Sequence, residues 1–567
     1  MNDAEIIQKQ REERRNCINA IISSKSNKKI ILAGAGTGKT YTFREILKNN
    51  QDGDNIALTF INSLVNDMAS VFGDLAEVKT FHAYCKKILH EQNGKVELFP
   101  FLTQIVEEDA DYLDLAFEDF DSKFQVLDED SPEIEFYLRR GDYYDAVSFN
   151  DSVYRLYKIL EKEPDIIPTF NQILIDEFQD FNPLEVAFIN KLESKGPILI
   201  VGDDDQSVYE GRCASPNYLR EKYRSGEYEI FELPFCGRCP QVIVSATNNL
   251  LDAAEKAGYL QGRVNKRFEC YISQKGADSI RFPKLHLAQC TTGKVIAKYI
   301  SKAIKEISVE DIKESWEGDS PYFTVLITGP KQYLTIIQDE LSEEHPQMTY
   351  KHSDQPNIKI TDGYDVLLND DEANLGWRIL IKFYFNRREN SQIIQKSDRG
   401  NQLLAILNPN FVQKQKKVLE IIWAIKQGQD FDAHELKKYT GDYCEDIFGY
   451  YSPAQKQETV EPDKAKPSIL LSSFVGCKGL SAGHVFIVGA NDGSIPKDPG
   501  DIKNIEIAQF IVALTRTRKQ CHIVSNRWHI APMMKGVFQQ AFNKTSFLNW
   551  IPSELVDDRG YIRASDI

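Results

Sequence analysis

The sequence predicts an α/β fold built on parallel sheets, and three short stretches carry that prediction. Lys29–Leu32 is an apolar run that enters the glycine-rich loop Ala33-Gly34-Ala35-Gly36-Thr37-Gly38-Lys39-Thr40 and then a helical pattern, YTFREILKN. Ile173-Leu174-Ile175 is a second apolar run and ends in Asp176-Glu177-Phe178-Gln179-Asp180. Ile198-Leu199-Ile200-Val201 is a third and ends in Gly202-Asp203-Asp204-Asp205-Gln206-Ser207. Short, uninterrupted apolar runs suit strands buried on both faces. Polar residues gathered just past them suit the carboxyl edge of an open parallel sheet, where ligands bind.

The glycine-rich loop has the context a phosphate cradle needs, with a strand before it and a helix after it. Glycines let backbone N–H groups turn toward phosphate oxygens, and the helix N-terminus adds partial positive charge. Lys39 can neutralise the outer phosphates, and Thr40 can ligate Mg²⁺. At the end of the second strand, Asp176 fits a partner of that metal, and Glu177 fits the group that orients and activates water. Gln206, past the third strand, can hydrogen-bond a γ-phosphate or the attacking water. Three successive aspartates at a buried strand end are costly unless Mg²⁺, basic residues or water relieve them.

Composition bounds the rest. With 567 residues, 42% of them apolar, and domains of about 100–200 residues, three or four domains are expected. No apolar run reaches membrane-spanning length. The polar start MNDAEIIQKQREERRN does not read as a signal peptide. Ten cysteines without a dense framework suit a reducing cytoplasm. A net charge of −16 argues against a protein that coats nucleic acid, but it leaves room for a local basic groove holding one strand.

AGAGTGKT, IDEFQD and VGDDDQSVY resemble the ATPase motifs of the UvrD/Rep helicases of superfamily 1, and further matches follow in that family's order. Thr59-Phe60-Ile61-Asn62 is similar to its TFTN segment, and Thr80-Phe81-His82-Ala83 to its TFHA segment. Arg238 matches the arginine of its NYRS motif, Lys478-Gly479-Leu480 its KGL motif, and Val512-Ala513-Leu514-Thr515-Arg516 its VALTR motif.

The resemblance implies two RecA-like P-loop domains with parallel sheets, each carrying a mainly helical insertion. The first motor domain would hold 1–95 and 168–235, with an acidic helical insertion at 96–167. The second would hold 236–354 and 466–567, with a reduced insertion at 355–465. The polar stretch 455–467 reads as the return linker. ATP would lie between the domains, with residues 33–41 around it and Arg238 and Arg516 as arginine fingers. Phe60, Asn62, Thr80, His82, Tyr209 and Arg212 match positions that touch single-stranded DNA. Core packing is the competing reading for Phe60, and helix capping for His82.

The chain also departs from the pattern. Gly211 stands where the family has an aromatic, and Gly237 where it has a tyrosine that stacks on adenine, a role Tyr41 could take over. Val475 and Ser481 replace a histidine and a glutamate around the KGL motif. Gln8 and Gln10 are weak candidates for an adenine-reading glutamine. Residues 107–135 carry many Asp and Glu against the single Lys123, either as a solvated face or as a docking surface for a basic partner. Cys236 and Cys239 read as packing residues, because further ligands at zinc spacing are lacking. The implied activity is ATP-dependent, 3′→5′ translocation or unwinding of single-stranded or tailed DNA in the cytoplasm. The alternative is an ATP-gated, DNA-sensing subunit that controls a partner nuclease, as in phage-defence systems such as Gabija.

Overall fold

The computed structural model describes residues 3–50, 53–59, 62–93, 97–317, 321–351, 357–452, 463–528 and 541–567. Two parallel sheets organise the chain. The first has six strands in the order Glu77–Thr80, Asn55–Thr59, Gln172–Ile175, Ile198–Gly202, Lys28–Ala33, Glu229–Leu233. The second has seven, in the order Thr349–Lys351, Ile469–Ser472, Phe323–Thr328, Ala482–Val488, Thr517–Asn526, Leu285–Cys290, Val556–Ile562. Every pairing in both is parallel. The fold is therefore α/β with two RecA-like sheets.

Alternation along each strand splits the apolar residues between two faces. In the first sheet Ile31 and Ala33 pack with Phe43 and Leu47 of the helix Lys39–Asn49. Ile30 and Leu32 belong to the opposite core, which runs on without a break into both insertions. The second sheet behaves likewise, with Leu326 on one face and Val325 and Ile327 on the other.

The first insertion is helical at Leu102–Tyr112, Phe120–Gln125, Pro132–Tyr144 and Phe149–Lys162, with one short strand pair, Glu97–Leu98 against Ala146–Val147. Between the adjacent strands Thr349–Lys351 and Ile469–Ser472 the chain makes its second excursion, whose described part is helical from Ile360 to Tyr451. There the helices Ile360–Asn369 and Asn374–Tyr384 pack closely, and a Cβ on Gly376 would lie 2.5 Å from Leu367 Cγ. Most of the linker read at 455–467 lies outside the described residues.

The acidic stretch is divided in use. Asp109 is fully buried and accepts hydrogen bonds from Arg140 Nε (2.8 Å) within its own insertion and from Arg378 Nε (2.7 Å) of the other. Glu108 pairs with Arg378 and Lys382, and Asp111 with Arg387. One end of the acidic run thus binds the two insertions to each other, whereas Asp114, Glu118, Asp119, Glu129, Asp130 and Glu135 face solvent. Among the described residues no helix is long and apolar enough to cross a membrane.

Candidate active site

Parallel register delivers the three polar loops to one edge. Leu32 lies opposite Gly202, and Ile175 opposite Ile200, so residues 34–38, 176–180 and 203–206 leave their strands side by side. Gly36 (φ +67°) and Gly38 (φ +94°) occupy left-handed backbone that glycine adopts without strain. Gly36 is constrained twice, because a Cβ there would lie 2.3 Å from Arg238 Cβ. Its carbonyl also accepts the Gly237 N–H at 2.9 Å. Thr37 Oγ1 donates to Gly34 O at 3.0 Å and closes the loop, while Ala33 and Ala35 are buried at its base.

Lys39 opens the helix behind the loop, and its Nζ lies 2.5 Å from Glu177 Oε1 and 3.9 Å from Asp176 Oδ1. Burial disfavours the Lys39 ammonium, but Glu177 and Asp176 outweigh it and raise its pKa. Glu177 sits at φ +54°, an unusual backbone for a non-glycine residue. Burial works against its carboxylate, yet Lys39 and Lys478 overcome that and hold it well below the usual range. Burial pushes Asp176 up to about 6, with Lys39 opposing. Asp176 Oδ1 is buried and accepts no hydrogen bond. Together with the half-buried Thr40 beside Lys39, this donor set fits a hard cation such as Mg²⁺.

A chain of hydrogen bonds leads from these carboxylates to the second domain. Gln179 Nε2 donates to Glu177 Oε2 (2.6 Å), while its Oε1 accepts from Asp203 N (3.0 Å). Gln206 Nε2 donates to Asp203 Oδ2 (2.5 Å), and Gln206 Oε1 accepts from Arg516 Nη2 (3.0 Å). Arg516 is buried, and burial followed by the nearby Arg238 lowers its pKa to about 10. Arg238 Nη1 lies 3.5 Å from Thr515 O. Lys478 enters from the same side, donating to Gln206 O (2.6 Å) and pairing with Asp180.

Comparison with known proteins bears on this arrangement. Residues 15–136 and 133–226 match the UvrD/REP helicase N-terminal domain. Over those residues the chain is similar to the UvrD/Rep helicases. DNA helicase II of Haemophilus influenzae is 28% identical over 277 residues, covering 39% of this chain and 38% of the relative. ATP-dependent DNA helicase PcrA of Staphylococcus aureus is 25% identical over 273 residues, covering 39% and 37%. These matches span well under half the length of either relative.

Several departures from the family pattern have a local account. At Gly237 a Cβ would lie 2.1 Å from Gln274 Oε1, so the Gln274 side chain occupies the space a side chain there would take. Tyr41 is half exposed, with the Arg14 guanidinium 5.7 Å from its ring centre and 4.8 Å from that of Tyr271. Gln10 is committed elsewhere, to Cys270 O and Ile272 N, and Gln8 bonds Glu12. Ser481 accepts from Arg518. Basic residues relieve the aspartate trio. Lys266 lies 2.6–2.8 Å from all three, Arg220 is 2.9 Å from Asp204, and Arg263 is 2.7 Å from Asp205. Cys236 and Cys239 are buried in the core of the second domain.

The strand-surface candidates fall in different settings. Phe60 lies outside the described residues, as does the side chain of Asn62, which opens the helix Asn62–Phe72. Thr80 Oγ1 accepts from Ala83 N and caps the helix Phe81–Asn93. Phe81 is core. His82 is buried, and burial followed by Arg212 lowers its pKa to about 3. Its Nε2 lies 3.5 Å from Glu185 Oε1, which is also 3.7 Å from Arg212 Nη2. The Tyr209 ring carries Lys478 Nζ 5.6 Å from its centre.

Sequence reasoning passes over Asp180, Glu185 and Lys266 as site residues. Asp180 closes the acidic motif and could have been found there. Lys266 carries no signal, because its partners are about sixty residues away in sequence.

Proposed function

We propose that this chain is an ATP-hydrolysing motor that moves 3′→5′ along single-stranded or tailed DNA in the cytoplasm. The observation that carries the reading is the Arg516–Gln206 contact, which brings a second-domain cation to the carboxylate cluster of the first. In this reading ATP draws Lys39 from Glu177 onto its outer phosphates. Glu177, freed of that partner, takes a proton from water as the water oxygen bonds the γ-phosphorus and ADP leaves. Arg516 and Arg238 neutralise charge on the transferring group. Thr40 and Asp176 would hold Mg²⁺, which supplies further charge neutralisation when bound. Opening and closing of the contact between the sheets would step the strand across both domains.

A second reading, an ATP-gated DNA sensor that controls a partner nuclease, is favoured by Gly211, Val475 and Ser481 at thinned strand and nucleotide positions. ATPase rate with and without single-stranded DNA, in wild type and Glu177→Gln, separates the two. Strong stimulation by DNA, abolished by Glu177→Gln, supports the motor. Hydrolysis indifferent to DNA, or absent until another protein is added, supports the sensor.

A further inference from the structure

The short strand Phe235–Cys236 runs into the turn Gly237-Arg238-Cys239, which carries one of the two second-domain arginines. Within the turn the Cys239 N–H donates to Cys236 Sγ at 3.3 Å, so the two cysteines close around Gly237 and Arg238. On one side the turn is docked on the phosphate loop, where Gly36 O accepts the Gly237 N–H at 2.9 Å. On the other, the Cys239 thiol donates to Thr515 O at 3.5 Å, and Arg238 Nη1 lies at the same distance from that oxygen. One carbonyl therefore joins the Arg238 turn to the residue before Arg516.

Buried cysteines are ordinary as small apolar packing, and both of these lie in the core of the second domain. Two observations set the pair apart. The first is that its two sulfurs differ in character. Burial disfavours the Cys236 thiolate, yet the Cys239 side chain, backbone hydrogen bonds from Cys239 and Arg238 and the Arg238 charge outweigh it and hold the Cys236 thiol below its usual range. Burial, and then Cys236 itself, push Cys239 well above that range. A thiolate beside a protonated thiol is the arrangement that closes to a disulfide. The second observation is that the Cys239 proton is in use, because it bonds Thr515 O. Cys270 stands opposite Cys236 in the sheet, but its sulfur lies 3.6 Å from Cys239 O and 3.8 Å from Ser279 Oγ.

We propose that Cys236 and Cys239 are a peroxide-responsive thiol pair, whose closure to a disulfide across Arg238 uncouples that turn from Thr515 and Arg516 and stops ATP hydrolysis. This rests on the reading that the chain hydrolyses ATP with both arginines. The Cys236 thiolate attacks one peroxide oxygen, the O–O bond breaks, and a sulfenic acid and hydroxide form. The hydroxide takes the Cys239 thiol proton and becomes water. Cys239 Sγ then attacks Cys236 Sγ and displaces the remaining oxygen as hydroxide, which takes up the proton Cys236 released on ionising. Two thiols are oxidised, and one peroxide is reduced to two waters. The disulfide has no hydrogen to give Thr515 O, and it draws in the turn that sets Arg238 against Gly36. A small oxidant suits two sulfurs that are both buried.

The test is the ATPase rate of wild type, Cys236→Ala and Cys270→Ala before hydrogen peroxide, after it, and after dithiothreitol, with tryptic peptide mapping of the same samples. Trypsin cuts after Arg238, so a Cys236–Cys239 bond holds together two peptides that separate on reduction. Oxidised wild type is expected to lose about tenfold or more of its rate, to recover it with dithiothreitol, and to yield the linked peptides. Cys236→Ala should keep its rate in peroxide, and Cys270→Ala should behave as wild type. Mapping and reversal on wild type decide the matter even where an alanine variant does not fold. A Cys236→Ala as sensitive as wild type, a loss that dithiothreitol does not reverse, or a link made by other cysteines would overturn the inference. Reduced wild type without ATPase activity would overturn the motor reading and the switch with it. Active wild type that forms no Cys236–Cys239 bond, or whose rate the bond leaves unchanged, would overturn the switch alone.

Discussion

Arg516 Nη2 lies 3.0 Å from Gln206 Oε1, although the two residues are 310 positions apart and belong to different sheets. The contact is buried on both sides. It links the VALTR segment to the end of the strand beside the phosphate loop, so a cation of the second domain sits at the carboxylate edge of the first.

Replacing Arg516 with alanine is expected to lower kcat for ATP hydrolysis by about a thousandfold, with a much smaller change in nucleotide affinity. Lysine should not restore the rate, because one ammonium cannot reproduce the fork that reaches Gln206, Val512 O and Leu480 O. Steady-state ATPase assays with a fluorescent nucleotide titration check both statements. An unchanged kcat would remove Arg516 from the reaction.

Tyr41 is an exposed ring that directly follows Lys39 and Thr40. Tyr41→Ala is expected to raise KM for ATP by about threefold to tenfold while leaving kcat near wild type, as loss of one stacking contact predicts. An unchanged KM would assign the ring to another purpose.

The buried Asp109 is paired with Arg140 and Arg378 from two different insertions. Arg378→Met should lower stability by about 3–5 kcal/mol, because it leaves a buried carboxylate short of a partner. Adding Asp109→Asn should recover part of that loss by removing the stranded charge. Thermal unfolding of wild type and both variants reads this directly. A double variant no more stable than Arg378→Met would show that packing, not charge, dominates.

Glu185 is buried, and burial raises its pKa to about 7, against the opposing Arg212 and with Asp180 adding to the rise. His82 also faces it, held neutral by burial. A carboxyl with a raised folded pKa favours the folded state at low pH and loses that advantage as pH climbs toward the folded value. Relative to Glu185→Gln, wild type should therefore lose stability as pH rises from about 4.5 to about 7, by up to roughly 3 kcal/mol. Glutamine can still accept the Asn182 N–H that caps the helix Pro183–Leu192. His82 alone gives the opposite slope, so the difference between the two proteins is the quantity to follow. A pH-independent difference would mean that Glu185 titrates normally.

Much of the site is legible in the amino-acid order. Lys39, Thr40, Asp176, Glu177 and Gln206 each sit just past an apolar run, and a strand followed by a polar loop is a local pattern. Arg238 and Arg516 need the resemblance as well, since an isolated arginine has many ordinary uses. Hidden from sequence are the fate of His82, which lies under Phe149, and the use of Glu108, Asp109 and Asp111, which pair with basic residues of the other insertion.

By itself the sequence determined the strands, the phosphate loop and the carboxylates at the sheet edge, because apolar runs, glycine conformations and helix starts are fixed by neighbours in the chain. Only the tertiary structure decided which charges are spent on each other. Lys266 against the three aspartates, Lys478 against Asp180 and Arg378 against Asp109 join residues far apart in sequence. Such pairs form because a buried charge is unfavourable without a counter-charge, and folding alone determines which one comes within reach.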